Sequence, residues 1–81
     1  MAVLITSNGQ LVPVTPKGDK FALEELQFLV GGYVEMLPAK GAKVLADEDG
    51  RLKNLPINIE ASLKLGYPVV GDILFLDKGE F

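Results

Sequence analysis

Residues 3–14 read Val-Leu-Ile-Thr-Ser-Asn-Gly-Gln-Leu-Val-Pro-Val, and this stretch decides how the fold begins. Two apolar runs flank Asn8-Gly9, a dipeptide that favours a two-residue type I′ turn because both of its residues tolerate positive φ. We therefore predict an antiparallel hairpin over residues 2–16. This register places four apolar side chains on one face, which we assign to the core: Val3, Ile5, Val12 and Val14.

Pro13 constrains where the second strand of this hairpin lies in the sheet. In the predicted register it lies opposite Leu4 in a non-hydrogen-bonded pair, so its missing N–H points away from the first strand. A further strand on that side would need the missing donor. We therefore expect residues 11–14 to form an edge strand, which offers its backbone to an extended segment of another protein.

The rest of the chain alternates helices and strands. Gly31-Gly32 is expected to end the first helix in the left-handed conformation, and Asn58 and Gly66 are expected to cap and end the second. The last apolar run contains one charge, Asp72, and predicts a central strand covered on both faces. The predicted elements are a helix over residues 22–31, strands over residues 33–37 and 43–47, a helix over residues 59–65 and a strand over residues 69–76.

The predicted order is β-β-α-β-β-α-β, which indicates a single α+β domain over residues 1–81. We expect an antiparallel or mixed sheet with two helices. The helices either pack together on one face of the sheet, or the sheet is partly closed into a small barrel.

The composition excludes the commonest catalytic groups, because the chain contains neither histidine nor cysteine. Imidazole acid–base chemistry, Ser–His and Cys–His nucleophiles, thiolate metal sites and disulfides are therefore absent. The net charge is −3 and the eight basic residues are scattered, which disfavours general nucleic-acid binding by counterion release. We expect a non-enzymatic binding protein without a cofactor or a metal.

The apolar character of the chain does not predict a membrane partner. The apolar N-terminus lacks the basic region and the cleavage site of a signal peptide. No apolar run approaches the roughly 20 residues that span a bilayer. We therefore expect a cytoplasmic protein.

Acidic residues are the remaining candidates for chemistry. Residues 47–50, Asp-Glu-Asp-Gly, lack the ligand spacing of a calcium loop and are interpreted as a solvated turn. Glu35 and Asp72 lie in predicted strands and are candidates for a carboxylate pair. We favour a structural role for each: Glu35 alternates with apolar neighbours and can face water, and Asp72, beside Gly71, can accept backbone N–H groups at a bulge.

Three segments form the predicted binding surface: Gly31–Glu35, Asn54–Asn58 and Gly71-Asp72. Tyr33 either stacks on a base or packs in the core, and we favour the core. Asn58 either caps a helix, which we favour, or contacts a ligand through its amide. The candidate ligand-binding residues are Gly32, Tyr33, Glu35, Asn54, Asn58, Gly71 and Asp72.

Five segments of the chain are distinctive when taken together: LEELQ at 23–27, VGGYVE at 30–35, DEDGRL at 47–52, LPIN at 55–58 and VGDIL at 70–74. They resemble a family of small domains of unknown function that bacteriophages and other mobile elements encode. Its pattern commonly has threonine where Ala22 stands, so this chain lacks half of a capping box. The resemblance implies a phage or prophage origin and a setting in the host cytoplasm.

Analogy with small phage accessory proteins suggests two functions. The first is a host-defence antagonist that sequesters a nucleotide-derived signal. It would act as a homo-oligomer, because a monomer of this size has little room for an enclosed pocket. The alternative is an inhibitor or adaptor that binds a host protein through an exposed sheet edge. A carboxylate-dependent hydrolase is the least favoured hypothesis.

Overall fold

A five-stranded antiparallel sheet forms the centre of the molecule. The computed structural model describes residues 2–77 and 79. Its elements are β1 (Ala2–Ile5), β2 (Leu11–Val14), α1 (Leu23–Val30), β3 (Val34–Leu37), β4 (Lys43–Asp47), α2 (Ile59–Leu65) and β5 (Ile73–Leu76). The strand order is β2-β1-β5-β4-β3, so β2 and β3 are the edges. The predicted α+β class and element order are confirmed, but the sheet is not closed.

The two helices lie on opposite faces of the sheet, so the prediction that both pack on one face is wrong. β1, β4 and β5 are apolar on both faces, and each face therefore requires its own cover. The buried residues on the α1 face are Ala2, Leu4, Phe21, Leu26, Val30, Leu45, Leu74 and Leu76. The buried residues on the α2 face are Ile5, Val44, Ala46, Ala61, Val69 and Ile73.

α1 begins without a side-chain cap from Ala22, as expected for alanine. Glu25 supplies the other half of the capping box, because its Oε1 accepts the Ala22 N–H at 3.0 Å. Its Oε2 accepts the Lys17 N–H at 3.1 Å. These backbone donors hold the pKa of Glu25 below its ordinary value. Phe21 and Leu26 are both buried in the same cluster, as the two members of a hydrophobic staple are.

The first hairpin turns through three residues rather than two. The Thr6 N–H donates to the Gln10 carbonyl at 2.9 Å, and the Gly9 N–H donates to the Thr6 carbonyl at 2.9 Å. Gly9 has φ of 92°, whereas Asn8 is not among the positive-φ residues. The turn is therefore a type I turn closed by a glycine bulge, and the predicted type I′ turn is wrong. The Thr6 hydroxyl favours this wider turn, because it accepts the Gln10 N–H at 3.0 Å and donates to the Asn8 side chain.

The extra turn residue shifts the register of the hairpin by one. Leu4 lies opposite Val12 on the α1 face, and Val3 lies opposite Pro13 on the α2 face. A shift of one residue moves a whole strand to the other face. The predicted grouping of Val3 and Ile5 with the valines of β2 is therefore wrong.

The last strand is shorter than predicted, but its central position is confirmed. β5 begins at Ile73 and pairs with β1 on one side and β4 on the other. Gly71, with φ of 78°, interrupts the run, and Val70 forms only an isolated bridge with Ile57.

α2 has the predicted bounds, with Asn58 as its N-cap and Gly66 as its left-handed C-cap. α1 ends at the left-handed Gly31, also as predicted. Neither helix has the length and apolar character needed to cross a membrane, and residues 2–77 and 79 contain no other helix.

Candidate functional site

The fold brings together parts of the three segments that the sequence nominated. Gly31, Pro56, Gly71 and Asp72 line a single cavity of about 250 Å³. The other residues that line it are Ser7, Val30, Asp47, Lys53 and Leu55. Three charged side chains that line this cavity, those of Asp47, Lys53 and Asp72, form hydrogen bonds within the chain.

Asn58 is fully buried and binds three backbone groups. Its Nδ2 donates to the Ile5 carbonyl at 2.8 Å and to the Gly71 carbonyl at 2.9 Å. Its Oδ1 accepts the Ala61 N–H at 2.9 Å, which caps α2. The favoured interpretation as a cap is confirmed. Both amide hydrogens are used within the chain, so none remains to be donated to a ligand.

Asp72 and Gly71 also have structural partners. Oδ1 of the half-buried Asp72 accepts the Ser7 N–H at 2.9 Å, and this bond ties the segment before β5 to the turn after β1. The Gly71 N–H donates to the Pro56 carbonyl at 2.8 Å. A Cβ at Gly71 would lie 2.8 Å from Cδ1 of Leu55, so this glycine permits the close approach of the two segments.

Asp47 and Lys53 form an ion pair that the sequence did not lead us to predict. Lys53 Nζ lies 2.7 Å from Asp47 Oδ2, and the side chains are 44% and 3% exposed, respectively. Nζ also donates to the Gly31 carbonyl at 3.2 Å, which joins the C-terminus of α1 to the pair. A Cβ at Gly32 would lie 2.8 Å from both Asp47 Oδ1 and Lys53 Nζ, so Gly32 makes room for the pair.

The pKa of Asp47 shows that its partners outweigh its burial. Burial by itself would raise the pKa of the carboxyl group. The hydrogen bond from Lys53, the Asp49 N–H at 2.9 Å and the Lys53 charge together hold it below its ordinary value. Residues 43, 45 and 47 share one face of the predicted strand, because alternate residues of a strand point to the same side. Leu45 lies in the core, so this spacing was the signal that Asp47 is buried. The interpretation of Asp47 as part of a solvated turn is wrong.

The other nominated residues lie away from this cavity. Tyr33 is 68% exposed, so the favoured core position is wrong; it precedes an edge strand and no element covers its ring among the described residues. Asn54 is exposed in the left-handed conformation, with φ of 55°. Glu35 is exposed and lines a second cavity of about 390 Å³, so it does not share a cleft with Asp72.

The second cavity extends along the α2 face next to β3. The charged residues that line it are Glu35, Asp47, Glu48 and Arg51. Its other lining residues are Leu37, Ala46, Leu52, Tyr67, Pro68, Val69 and Val70. Within residues 2–77 and 79, no three acidic side chains are grouped as the ligands of a metal ion would be.

β3 presents unpaired backbone along the edge of the sheet beside this cavity. The Glu48 N–H donates to the Tyr33 carbonyl at 2.8 Å, and the two residues are in register with the β3–β4 ladder. Hydrogen-bonded and non-hydrogen-bonded pairs alternate in an antiparallel ladder. Glu35 therefore bonds to β4, whereas the N–H and C=O groups of Val34 and Met36 point away from the sheet.

The comparison with protein families covers the whole chain. Residues 1–81 match the family described as Domain of unknown function (DUF3846). The chain belongs to this family. No curated protein and no solved structure matched the chain. The description of this family assigns no activity.

This DUF3846 domain exposes several large apolar side chains, and Phe28 on α1 is 86% exposed. Ile59 and Leu63 are spaced by four residues on α2, so they form one exposed apolar stripe. Leu11 and Met36 are exposed on the two edge strands. Exposed apolar side chains that stand singly are ordinary on protein surfaces, whereas a contiguous apolar patch marks a binding surface.

Proposed function

We propose that this domain is a non-enzymatic binding protein that recognises an extended segment of another protein along β3. The observation that carries the proposal is the outward-facing backbone of Val34 and Met36, with which no described strand pairs. Each of these residues offers one donor and one acceptor. A segment added as a sixth strand satisfies both groups, which is the mode of binding called β-strand addition.

The opposite edge of the sheet is less suited to this role. Thr6 and Gln10 form a hydrogen-bonded pair, so by alternation Leu11 and Pro13 are the residues of β2 that face outward. Pro13 has no N–H to donate there. Proline at such a position blocks strand addition, and natural proteins use it to protect sheet edges. The expected edge at residues 11–14 is confirmed, but we assign binding to the other edge.

Side-chain contacts are available on both sides of the proposed added strand. On the α1 face, Met36 is 56% exposed beside the edge. On the α2 face, Glu35, Leu37 and Tyr67 are among the residues that line the cavity of about 390 Å³. Alternate residues of an added strand point to opposite faces, so one set would contact Met36 and the other would enter the cavity.

We also propose that the domain originates from a bacteriophage or another mobile element and acts on its host. The VGGYVE, DEDGRL, LPIN and VGDIL segments support an origin in a bacteriophage or another mobile element. We place the chain in the cytoplasm of its host, with a host protein as its partner and inhibition of host defence as its role. The absence of histidine and cysteine, the commonest catalytic side chains, supports binding rather than catalysis.

A nucleotide-derived ligand held between subunits of a homo-oligomer is the second candidate function. One observation favours it: Arg51 and Tyr67 line the same cavity, so a guanidinium for a phosphate and an aromatic ring are both present. Isothermal titration with cyclic dinucleotides and ADP-ribose derivatives tests this function. Heat that disappears in Arg51→Ala supports it, and no heat with any compound in the panel removes it.

The proposed binding at β3 is tested by removing one outward backbone donor. Met36→Pro deletes the Met36 N–H while leaving the bonds to β4, because that N–H faces away from the sheet. Capture of the partner from a lysate of the bacterial host should fall at least about tenfold relative to the unmodified chain. Met36→Ala is the matched control, since it shortens the side chain and keeps the donor.

The fold of both variants is checked by thermal denaturation. Pro13 shows that this sheet already contains a proline at an outward edge position. If folded Met36→Pro captures the partner as strongly as Met36→Ala, β3 is not the binding edge.

A further inference from the structure

Building on the proposed function, we infer that the segment bound by β3 carries lysine or arginine opposite Glu35, with an apolar residue on each side. We also infer that Glu35 keeps a second copy of this chain from taking the same place. Both statements follow from the register that the free backbone groups of β3 impose.

The register that uses both free residues pairs Val34 of one copy with Met36 of the other. In this arrangement Glu35 lies opposite Glu35 of the second copy as a non-hydrogen-bonded pair, with Cα atoms about 4.5 Å apart. Like charges directly opposite one another destabilise a strand pair. The register that pairs two copies through all of their free β3 backbone groups is therefore opposed by the repulsion between the two Glu35 carboxylates.

The neighbouring registers lose hydrogen bonds. Pairing Val34 with itself brings Met36 opposite Gly32, whose N–H already donates to the Gln27 carbonyl at 3.0 Å. Pairing Met36 with itself brings Val34 opposite Pro38, which has no N–H. The Pro38 carbonyl is also engaged, since it accepts the Tyr67 hydroxyl at 2.7 Å. A second copy has no antiparallel register free of either charge repulsion or a missing donor.

The charges around Glu35 favour a basic side chain in the added strand. Glu35 is exposed, and no described residue forms an ion pair with it. Glu48 lines the same cavity, and Arg51 is the one cation among the described residues that line it. A lysine or arginine opposite Glu35 would lie on the α2 face, where its charge meets a carboxylate and its stem contacts Leu37.

The residues before and after this basic position point to the α1 face. There they pair with Val34 and Met36, whose side chains are half-buried and exposed, respectively. Apolar residues at these two positions would cover Met36 and extend the α1 face beyond the edge. The expected recognition sequence is therefore apolar–basic–apolar in extended conformation.

Charge exchange at position 35 tests the inference with the chain itself as the probe. Sedimentation equilibrium is measured up to about 1 mM protein, where weak association is detectable. The unmodified chain alone and Glu35→Lys alone should each remain monomeric, whereas an equimolar mixture should associate through complementary charges. Glu35→Gln alone should also self-associate, because it removes the repulsion and keeps the backbone donors.

A further substitution, Met36→Pro, verifies that β3 is the associating edge. It should abolish the association of the mixture when added to either chain, and the self-association of Glu35→Gln. Peptides that differ only in a central lysine or glutamate provide a second readout. The unmodified chain should prefer lysine by about tenfold, and Glu35→Lys should reverse the preference.

The inference is overturned if the mixture and Glu35→Gln both remain monomeric, or if the unmodified chain dimerises in a way that Met36→Pro abolishes. An unchanged peptide preference after Glu35→Lys also overturns it. The proposed function fails differently, namely when folded Met36→Pro retains full capture of the host partner while the charge-exchanged mixture still associates.

Discussion

Asn58 joins parts of the chain that are distant in sequence. It contacts the last residue of β1, the first turn of α2 and the glycine before β5. These three bonds are buried, so removing the amide takes away hydrogen bonds that compensate for the desolvation of their partners. Although Asn58 lies among the nominated ligand-binding residues, its place in the fold is that of an internal connector.

Replacing Asn58 tests this role. Asn58→Ala should lower the free energy of unfolding by about 3 kcal/mol, because it removes three buried hydrogen bonds. Asn58→Asp keeps the acceptor for Ala61 but loses both donors, and it should also destabilise the fold. Urea denaturation measures both effects. Asn54→Gly is the control and should change little, since glycine adopts the left-handed conformation readily. A loss below about 0.5 kcal/mol for Asn58→Ala would contradict the assignment.

The Asp47–Lys53 pair predicts how stability depends on pH. The folded-state pKa of Asp47 is lowered, so its contribution is present above the ordinary pKa of aspartate and is lost as the pH falls through the folded value. Asp47→Asn should therefore cost about 1 kcal/mol at neutral pH, a modest value because Lys53 is 44% exposed. The difference between the two proteins should shrink below about pH 4.

Urea denaturation of both proteins between neutral and acidic pH measures this convergence. Glu48→Gln, which removes an exposed charge one residue away, is the control at neutral pH and should have little effect. A difference between the unmodified chain and Asp47→Asn that grows on acidification would refute the assignment.

At the scale of elements, Asn8-Gly9 is compatible with two turns: the predicted type I′ turn and the observed type I turn with a glycine bulge. Substitutions at the two positions distinguish them. Gly9→Ala should cost about 1 kcal/mol, because Gly9 has φ of 92° and alanine is strained there. Asn8→Ala should cost less than about 0.5 kcal/mol, since it loses only an exposed bond with the Thr6 hydroxyl. Thermal and urea unfolding of the two variants give the comparison. Equal, large losses at both positions would instead indicate a type I′ turn.

α2 shows how a short helix depends on its surroundings. Its seven residues are too few for independent stability in water. Ala61 is its one fully buried side chain, and the Asn58 cap and Gly66 define its ends. The helix therefore covers only part of its sheet face. Ile59 and Leu63 remain available on its outer side.

At the scale of the whole molecule, the effects of substituting Phe28 and Leu26 on the free energy of unfolding test whether the exposed side of α1 is covered by a second copy in solution. Phe28→Gln should leave the free energy of unfolding within about 0.5 kcal/mol of the unmodified chain, because the ring is 86% exposed. Leu26→Ala, a change in the core, should cost about 3 kcal/mol. Urea denaturation at two protein concentrations checks both. A large, concentration-dependent loss for Phe28→Gln would show that the ring is covered by a second copy in solution.

Local signals in the sequence determined the order of the elements, the bounds of α2, the caps at Gly31, Asn58 and Gly66, and the edge position of β2. These features depend on residues within a few positions of one another: apolar periodicity, glycine at positive φ, an asparagine cap and a proline that cannot donate. The absence of histidine and cysteine likewise limited the chemistry without reference to the fold.

Only the tertiary structure decided the face that each helix covers, the register of the first hairpin, the Asp47–Lys53 pair and the free edge at β3. The two faces of β1, β4 and β5 are both apolar, so the pattern could not say which helix covers which face. The ion pair and the open edge depend on the order β2-β1-β5-β4-β3, which brings distant segments side by side. That order leaves the outward N–H and C=O groups of Val34 and Met36 without a partner strand, because no described strand lies beyond β3.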